Sequence, residues 1–164
     1  MVRVLFVCSG NICRSPTAEG VMRKLLAERG LEHRVEVDSA GTHGFHEGEA
    51  PDTRSQAQAR RRGIELGDQR ARQVRREDFH DFDLIVAMDR GHLRELERMA
   101  PPDAPARVEL FLRYAPECGQ DDVPDPYYGA GDGFETVLDL VEAGARGLLA
   151  AFERDGLLDA KSAP

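Results

Sequence analysis

Apolar residues run almost unbroken through residues 2–7, and several of them are β-branched. A run this short and this continuous predicts a parallel strand covered on both faces. Polar and small residues follow, then Ser15-Pro16. Serine suits a helix N-cap and proline the first helical position. Ala18, Val21, Met22, Leu25 and Leu26 then recur at helical spacing, and Gly30 supplies a stop. Residues 33–38 alternate as a short strand, 39–51 form a glycine-rich loop, and 52–62 read as a polar-faced helix ending at Gly63. Residues 84–88 are a second buried strand, 90–99 a helix stopped by Pro101-Pro102, and 108–112 a further strand. The stretch 115–131 is broken by prolines and glycines and reads as loop. Asp132 is placed to cap a long final helix, with Glu135 as its capping-box partner. That helix carries its apolar face on Phe134, Val137, Leu138, Val141, Ala145, Leu148, Leu149 and Phe152.

Strands alternating with helices predict an α/β fold. The expectation is a single three-layer domain over residues 1–158, a central parallel sheet of about four strands flanked by helices, and a frayed tail at 159–164. In such sheets ligands bind beyond the carboxyl ends of the strands. The loop that begins at Cys8 lies there, so it is the expected phosphate-binding loop.

Composition narrows the picture. A chain of 164 residues, 41% hydrophobic and 32% charged, has the balance of one globular core rather than a disordered polymer. A net charge of -8 argues against nucleic acid as a partner, although one phosphate group needs only a local positive field. No apolar run is long enough for a bilayer, so no membrane partner is expected. The first seven residues lack a signal-peptide cleavage site. Three unevenly spaced cysteines make a poor disulfide framework and a poor metal site. The expectation is a monomer with reduced thiols in the cytoplasm.

The chemistry concentrates in Cys8-Ser9-Gly10-Asn11-Ile12-Cys13-Arg14-Ser15-Pro16. This segment joins a buried strand to a helix N-terminus. Successive main-chain N–H groups in such a loop can turn inward as an anion nest, and the helix dipole adds to the same field. Gly10 permits a positive φ and Asn11 tolerates one. The same field would favour a thiolate nucleophile at Cys8. The planar fork of Arg14 can hold two phosphate oxygens. Ser15 can donate a hydrogen bond to the sulfur as it leaves. The loop lacks the Gly-Lys-Ser/Thr ending of a Walker A segment. The bland alternative makes Cys8 a small buried hydrophobe at a strand end.

At this point the segment resembles the signature loop of the low molecular weight protein tyrosine phosphatases. Asp125-Pro126-Tyr127-Tyr128-Gly129 resembles the family's second motif. Asp38-Ser39-Ala40-Gly41-Thr42, Ala71-Arg72-Gln73 and Ala87-Met88-Asp89 also fit its pattern, so the likeness runs from Val2 to about Phe152. The resemblance implies hydrolysis of phosphotyrosine or aryl phosphate through a phosphocysteine, with phosphate as product and no cofactor or metal. It assigns Asp125 as acid to the leaving oxygen and then as base to water, which requires a protonated carboxyl that burial or the phosphate charge would favour. It makes Tyr127, Tyr128 and Phe45 aromatic walls of a deep pocket, and Asn11, Ser15 and Ser39 braces of the loop. Gln69 stands where the family often has a histidine. Cys13 is read either as a redox partner that traps oxidised Cys8 or as a packed thiol, and Cys118 is given no role.

The arginine-rich stretch 54–76 reads as a solvated helical face. His33, His43, His80 and His92 are scattered without ligand spacing and receive no role. Two enzymatic alternatives share the fold. An arsenate reductase needs further thiols, and residues 82–90 hold none. A protein-arginine phosphatase typically has threonine where this chain has Ile12. A non-catalytic phosphate-binding module would not need Cys8, Arg14 and Asp125 together.

Overall fold

Strand β1 (Val2–Cys8) is the centre of the molecule, and from Val4 onward every residue in it is buried. The computed structural model describes residues 1–127 and 132–158. The expectations for Tyr128 and for the tail at 159–164 therefore lie outside the described residues. Around β1 the chain builds α1 (Arg14–Glu28), β2 (Val35–Gly41), α2 (Thr53–Arg60), α3 (Asp78–Asp81), β3 (Leu84–Ala87), α4 (Arg90–Met99), β4 (Arg107–Leu110) and α5 (Gly133–Arg154). The four strands are all parallel, in the order β2-β1-β3-β4. The expected single three-layer α/β domain is thus the one observed.

The period of two along β1 sorts its side chains into two cores. Val4, Phe6 and Cys8 face α1 and α5, packing with Ala18, Met22, Leu138, Val141 and Leu149. Leu5 and Val7 face the other side, against Phe79, Phe82 and Leu96. The predicted apolar face of α5 is buried at every position named for it. Gly30 stops α1 as expected: it takes φ 66°, and Leu31 N–H returns to Leu26 O at 2.8 Å.

Several boundaries differ from the sequence reading, each for a physical reason. α1 starts at Arg14, and Cys13 caps it without a side-chain bond. Ser15 is not the N-cap, because its hydroxyl is engaged by the loop described below. β2 runs Val35–Gly41 instead of 33–38, since it pairs with β1 along its whole length, from Val2↔Val35 to Cys8↔Gly41. β3 stops at Ala87, one residue before the predicted end. β4 starts at Arg107 and ends at Leu110. Phe111 and Leu112 turn instead into a 3-10 segment (Phe111–Tyr114), where Phe111 meets Phe6 edge-on at 5.4 Å. α2 ends at Arg60, short of the predicted 62. The predicted loop 115–131 contains a 3-10 turn, Pro116–Cys118. The short α3 was not foreseen.

The capping box at Asp132 and Glu135 is absent. Asp132 makes no side-chain cap bond, and the Glu135 carboxylate lies 3.8 Å from Arg62. The stretch 54–76 is likewise not one solvated face. Arg62 pairs with Asp139 and Glu142 of α5, and Arg72 with Asp38 and Asp78, so these arginines tie elements together.

The strand order changes direction between β1 and β3. The crevice beyond the carboxyl ends of those two strands is therefore where a ligand site is expected. Among the described residues no helix is long and apolar enough to cross a membrane.

Candidate active site

Cys8 closes β1 at the edge of that crevice and is 3% exposed. The chain must turn from the strand into α1 before Arg14. The left-handed residue of this turn is Asn11, at φ 60°, and not Gly10. Positive φ costs an ordinary residue about 1–2 kcal/mol, and here the Asn11 amide offsets it. Its Nδ2 donates to Ser15 Oγ (2.8 Å) and Ser39 Oγ (3.0 Å), and its Oδ1 accepts from Arg72 N (3.0 Å). At Gly10 a Cβ would come within 2.9 Å of the His46 ring, so a side chain there would have to push that ring aside. Gly41 lets the end of β2 lie against the loop, since its Cβ would meet Ser9 O at 2.6 Å.

This turn leaves the main-chain N–H groups of Gly10, Asn11, Ile12 and Cys13 without a protein acceptor among the described residues. A row of such donors at a helix N-terminus suits a multivalent anion.

Behind the loop a chain of hydrogen bonds reaches the sulfur. Ser15 Oγ lies 3.0 Å from Cys8 Sγ. Because Asn11 already donates to Ser15, the one hydroxyl proton has the sulfur at 3.0 Å and Ala40 O at 3.3 Å as its acceptors, and the sulfur is the nearer. Ser39 Oγ accepts from Asn11 and donates to Glu19 Oε1 at 2.7 Å. Gln69 joins the edge of this network, donating to Pro16 O (2.9 Å) with its Oε1 3.4 Å from Ser39 Oγ. The three expected braces thus meet. Glu19, which sequence reasoning missed, ends the chain. Burial pushes its carboxyl up to about 7, against the opposing pull of Ser39 and Arg23. The signal was present: an acid four residues after Ser15, beside Ala18 and Met22 on the apolar side of α1.

Arg14 begins α1 and is buried. Its Nη1 donates to Asp89 Oδ2 and to Val123 O, both at 2.9 Å. Its Nη2 has only long contacts: 3.5 Å to Ser9 Oγ, 3.5 Å to His92 Nε2 and 3.7 Å to Asp125 Oδ2. Nη1 is anchored, and the rigid planar fork holds Nη2 beside it with N–H capacity left for an oxyanion. Asp89 follows β3 and caps α4, accepting His92 N at 2.8 Å. Burial alone would raise its carboxyl, but the His92 N–H and the nearby charges of His92 and Arg14 outweigh that and hold it below the ordinary range. Neither Asp89 nor His92 was assigned a role from the sequence.

One cavity of about 280 Å³ is lined by Cys8, Ser9, Gly10, Ile12, Cys13 and Arg14 at its floor, and by His43, Phe45, His46, Asp125 and Tyr127 at its mouth. Asn11, Ser15 and Ser39 stand behind this lining. Asp125 accepts Tyr127 N at 3.0 Å and its side chain is 41% exposed, so it is not a buried acid. Phe45 stacks on His43 at 4.9 Å, and the His46 and Tyr127 rings lie tilted at 47° with their centres 6.4 Å apart. Arg54 lies over both Tyr127 and Phe134. Cys13 is buried, and burial first, then Asp52 and Cys8, pushes its thiol up to about 12. Cys118 lies away from the cavity lining. Among the described residues no group of three or more His, Cys, Asp or Glu side chains is arranged to hold a metal ion.

Known proteins match this chain along nearly its whole length. The family described as "Low molecular weight phosphotyrosine protein phosphatase" matches residues 3–158. A low molecular weight protein-tyrosine-phosphatase of Streptomyces coelicolor is 53% identical over 152 residues, 91% of this chain and 92% of that one. The Bacillus subtilis protein of the same description, YfkJ, is 43% identical over 155 residues, 94% of this chain and 98% of that one. A crystal structure of a protein tyrosine phosphatase from Entamoeba histolytica, with Hepes in its active site, superposes with a TM-score of 0.90 at 36% identity. It covers 94% of this chain and 99% of that one. With the loop after β1, the sheet order and the sequence all in agreement, this chain belongs to the low molecular weight protein-tyrosine phosphatase family.

Proposed function

We propose that this phosphatase hydrolyses phosphotyrosine and related aryl phosphates with Cys8 as nucleophile, Arg14 as oxyanion clamp and Asp125 as acid and base. The observation that supports this most directly is the single cavity that has Cys8 at its floor, Arg14 beside it and Asp125 at its mouth. A phosphoryl group seated on the loop amides of Gly10 to Cys13 presents phosphorus to Cys8 and the ester oxygen to Asp125.

In the first step the Cys8 thiolate attacks phosphorus, an S–P bond forms, and the P–O bond to the phenol breaks. Protonated Asp125 gives its proton to the departing oxygen. Nη2 of Arg14 and the loop N–H groups hold the equatorial oxygens as charge redistributes. In the second step water attacks phosphorus and loses a proton to the Asp125 carboxylate. The S–P bond breaks, inorganic phosphate leaves, and the Ser15 hydroxyl donates to the sulfur that takes the electron pair.

Aromatic rings at the mouth and a buried sulfur at the floor favour a long, flat phosphoester over the shorter phosphoserine. Ile12 and the placement of Cys118 outside the cavity support tyrosine phosphate over arginine phosphate or arsenate. The reading extends to a monomer in the cytoplasm acting on phosphotyrosine proteins. It is tested with p-nitrophenyl phosphate at mildly acidic pH in the presence of a chelator. Turnover is expected, with a Cys8→Ser chain inactive yet still binding phosphate. Consumption of thioredoxin with arsenate, and no phosphatase turnover, would overturn it.

A further inference from the structure

His33 and His80 are exposed, and His43 and His46 stand at the cavity mouth, but His92 is buried to 5% exposure. It sits in the first turn of α4, which Asp89 caps. Its Nε2 lies 2.8 Å from Ser9 Oγ and 3.5 Å from Arg14 Nη2. Its Nδ1 is 3.1 Å from Asp89 Oδ1 but off the line of a hydrogen bond, and has no other partner among the described residues.

Both neighbours select the same tautomer. A guanidinium can only donate, so the nitrogen facing Arg14 must offer a lone pair. An ionised carboxylate can only accept, so the nitrogen facing Asp89 must carry the hydrogen. Nε2 then accepts the Ser9 hydroxyl at 2.8 Å with its one lone pair and offers Nη2 only a long, shared contact at 3.5 Å. A second proton on this ring would face the Arg14 charge. Burial first, and then that charge, push the imidazolium down to about 4, against the opposing pull of Asp89 and Asp125.

We propose that His92 is a positioning residue of the phosphatase reaction: its Nε2 lone pair holds the Ser9 hydroxyl beside Arg14 and, through the longer contact to Nη2, helps fix the plane of the guanidinium that faces the phosphoryl group. The inference rests on the phosphate-loop reading given above. His92 does not line the cavity and acts through Ser9 and Arg14. Asp89 anchors Nη1 from behind, and His92 and Ser9 flank Nη2 in the same rigid plane.

The test compares the full chain with His92→Phe, which keeps a ring without an acceptor, and His92→Gln, whose Oε1 can reach the place of Nε2. Turnover of p-nitrophenyl phosphate, the inhibition constant of inorganic phosphate and the thermal midpoint are measured for each. The phenylalanine chain is expected to bind phosphate roughly tenfold more weakly and to lose kcat as well as KM, as when one acceptor is removed from buried donors. The glutamine chain should stay within about threefold of the parent in both. Should His92→Phe fail to fold, His92→Asn replaces it, since its shorter amide faces Asp89 but leaves the place of Nε2 empty.

An acceptor-free variant with the parent's phosphate constant overturns the role. So does a glutamine chain as impaired as the phenylalanine or asparagine one, because position 92 would then matter only for packing. Failure of the parent chain to turn over substrate would instead remove the function itself, so the two failures are distinguishable.

Discussion

At the floor of the cavity Asn11 commits its whole amide to three partners, and the loop it holds is pinned to β2, α1 and the segment at Arg72. At the mouth, Phe45 is 76% exposed and stacks on one neighbouring ring, and Asp125 is held by one main-chain N–H and a 3.7 Å approach to Arg14. The contrast follows from the chemistry. Every substrate presents the same phosphoryl group, so fixing its surroundings in advance lowers the barrier without reorganisation at the moment of reaction. The leaving group belongs to a larger molecule that must dock and depart, so the mouth gains from side chains that can adjust. Substitutions at the floor should therefore change chemistry or stability, and substitutions at the mouth should change recognition, with Asp125 standing between the two.

The largest effect is expected at the sulfur. Cys8→Ser should lower turnover of p-nitrophenyl phosphate on the order of 10^4-fold or more, because an alkoxide is not available at this pH to form the covalent intermediate. Phosphate should still bind, since the loop amides and Arg14 remain. Equilibrium dialysis or calorimetry with inorganic phosphate reads this directly. Loss of phosphate binding along with turnover would mean that the floor is not a preformed cradle.

Asp125→Ala is expected to come next, at roughly 10^2- to 10^3-fold in kcat for p-nitrophenyl phosphate, the range of a general acid. The loss should shrink as the leaving phenol becomes more acidic, because a better leaving group needs less protonation. A set of substituted aryl phosphates measures that slope. A loss independent of the leaving group would move Asp125 out of its acid role and make it part of the mouth alone.

How far the sequence revealed each region follows the same division. The nucleophile, the arginine and the turn between them are contiguous in sequence and bounded by a strand and a helix, so their chemistry could be read before any coordinates. The supports come from far away: Asp89 from the end of β3, His92 from α4, Arg72 and Gln69 from the stretch before α3. Asp89 and His92 arrive because β3 pairs with β1, and Gln69 and Arg72 because their segment runs beside the end of β2. Boundaries failed where a long-range partner outweighed local preference. Ser15 looks like a cap but is claimed by Asn11 and the sulfur, and β2 continues into a glycine-rich stretch because β1 offers it a ladder. Ser15 thus lies against the sulfur from inside α1 and not from its cap position.

Glu19 gives a smaller effect that sharpens the picture of the floor. Inside the fold its carboxyl takes a proton at about 7, against an ordinary 4.5. Between those values the folded chain holds a proton that the unfolded chain lacks, so stability is greatest below the lower value and falls as pH rises through the upper one. The full span corresponds to about 3 kcal/mol as an upper bound. Glu19→Gln keeps an acceptor for Ser39 and cannot ionise. Urea midpoints at pH 5 and pH 8 should therefore differ less in the variant than in the parent, and the variant should be the more stable of the two at pH 8. An unchanged pH slope would show that Glu19 is solvated well enough to ionise freely, and the floor would be less closed than its hydrogen bonds imply.

The smallest effect tests the mouth. Phe45 buries little of its ring, so Phe45→Ala should shift the thermal midpoint no more than an ordinary surface substitution, within about 0.5 kcal/mol. Its stack on His43 and its place at the cavity edge put it where, on the proposed reading, an aryl group enters. Such ring contacts contribute about 0.5–1.5 kcal/mol, which raises KM for aryl phosphates and phosphotyrosine peptides by a few-fold to about tenfold. The phosphoryl group is held elsewhere, so kcat and the inhibition constant of inorganic phosphate should not move. That pattern is uniform binding, lost equally from ground and transition states. If kcat fell while KM held, Phe45 would be helping to fix the reacting geometry, and the division of labour between a rigid floor and an adjustable mouth would fail at its most exposed residue.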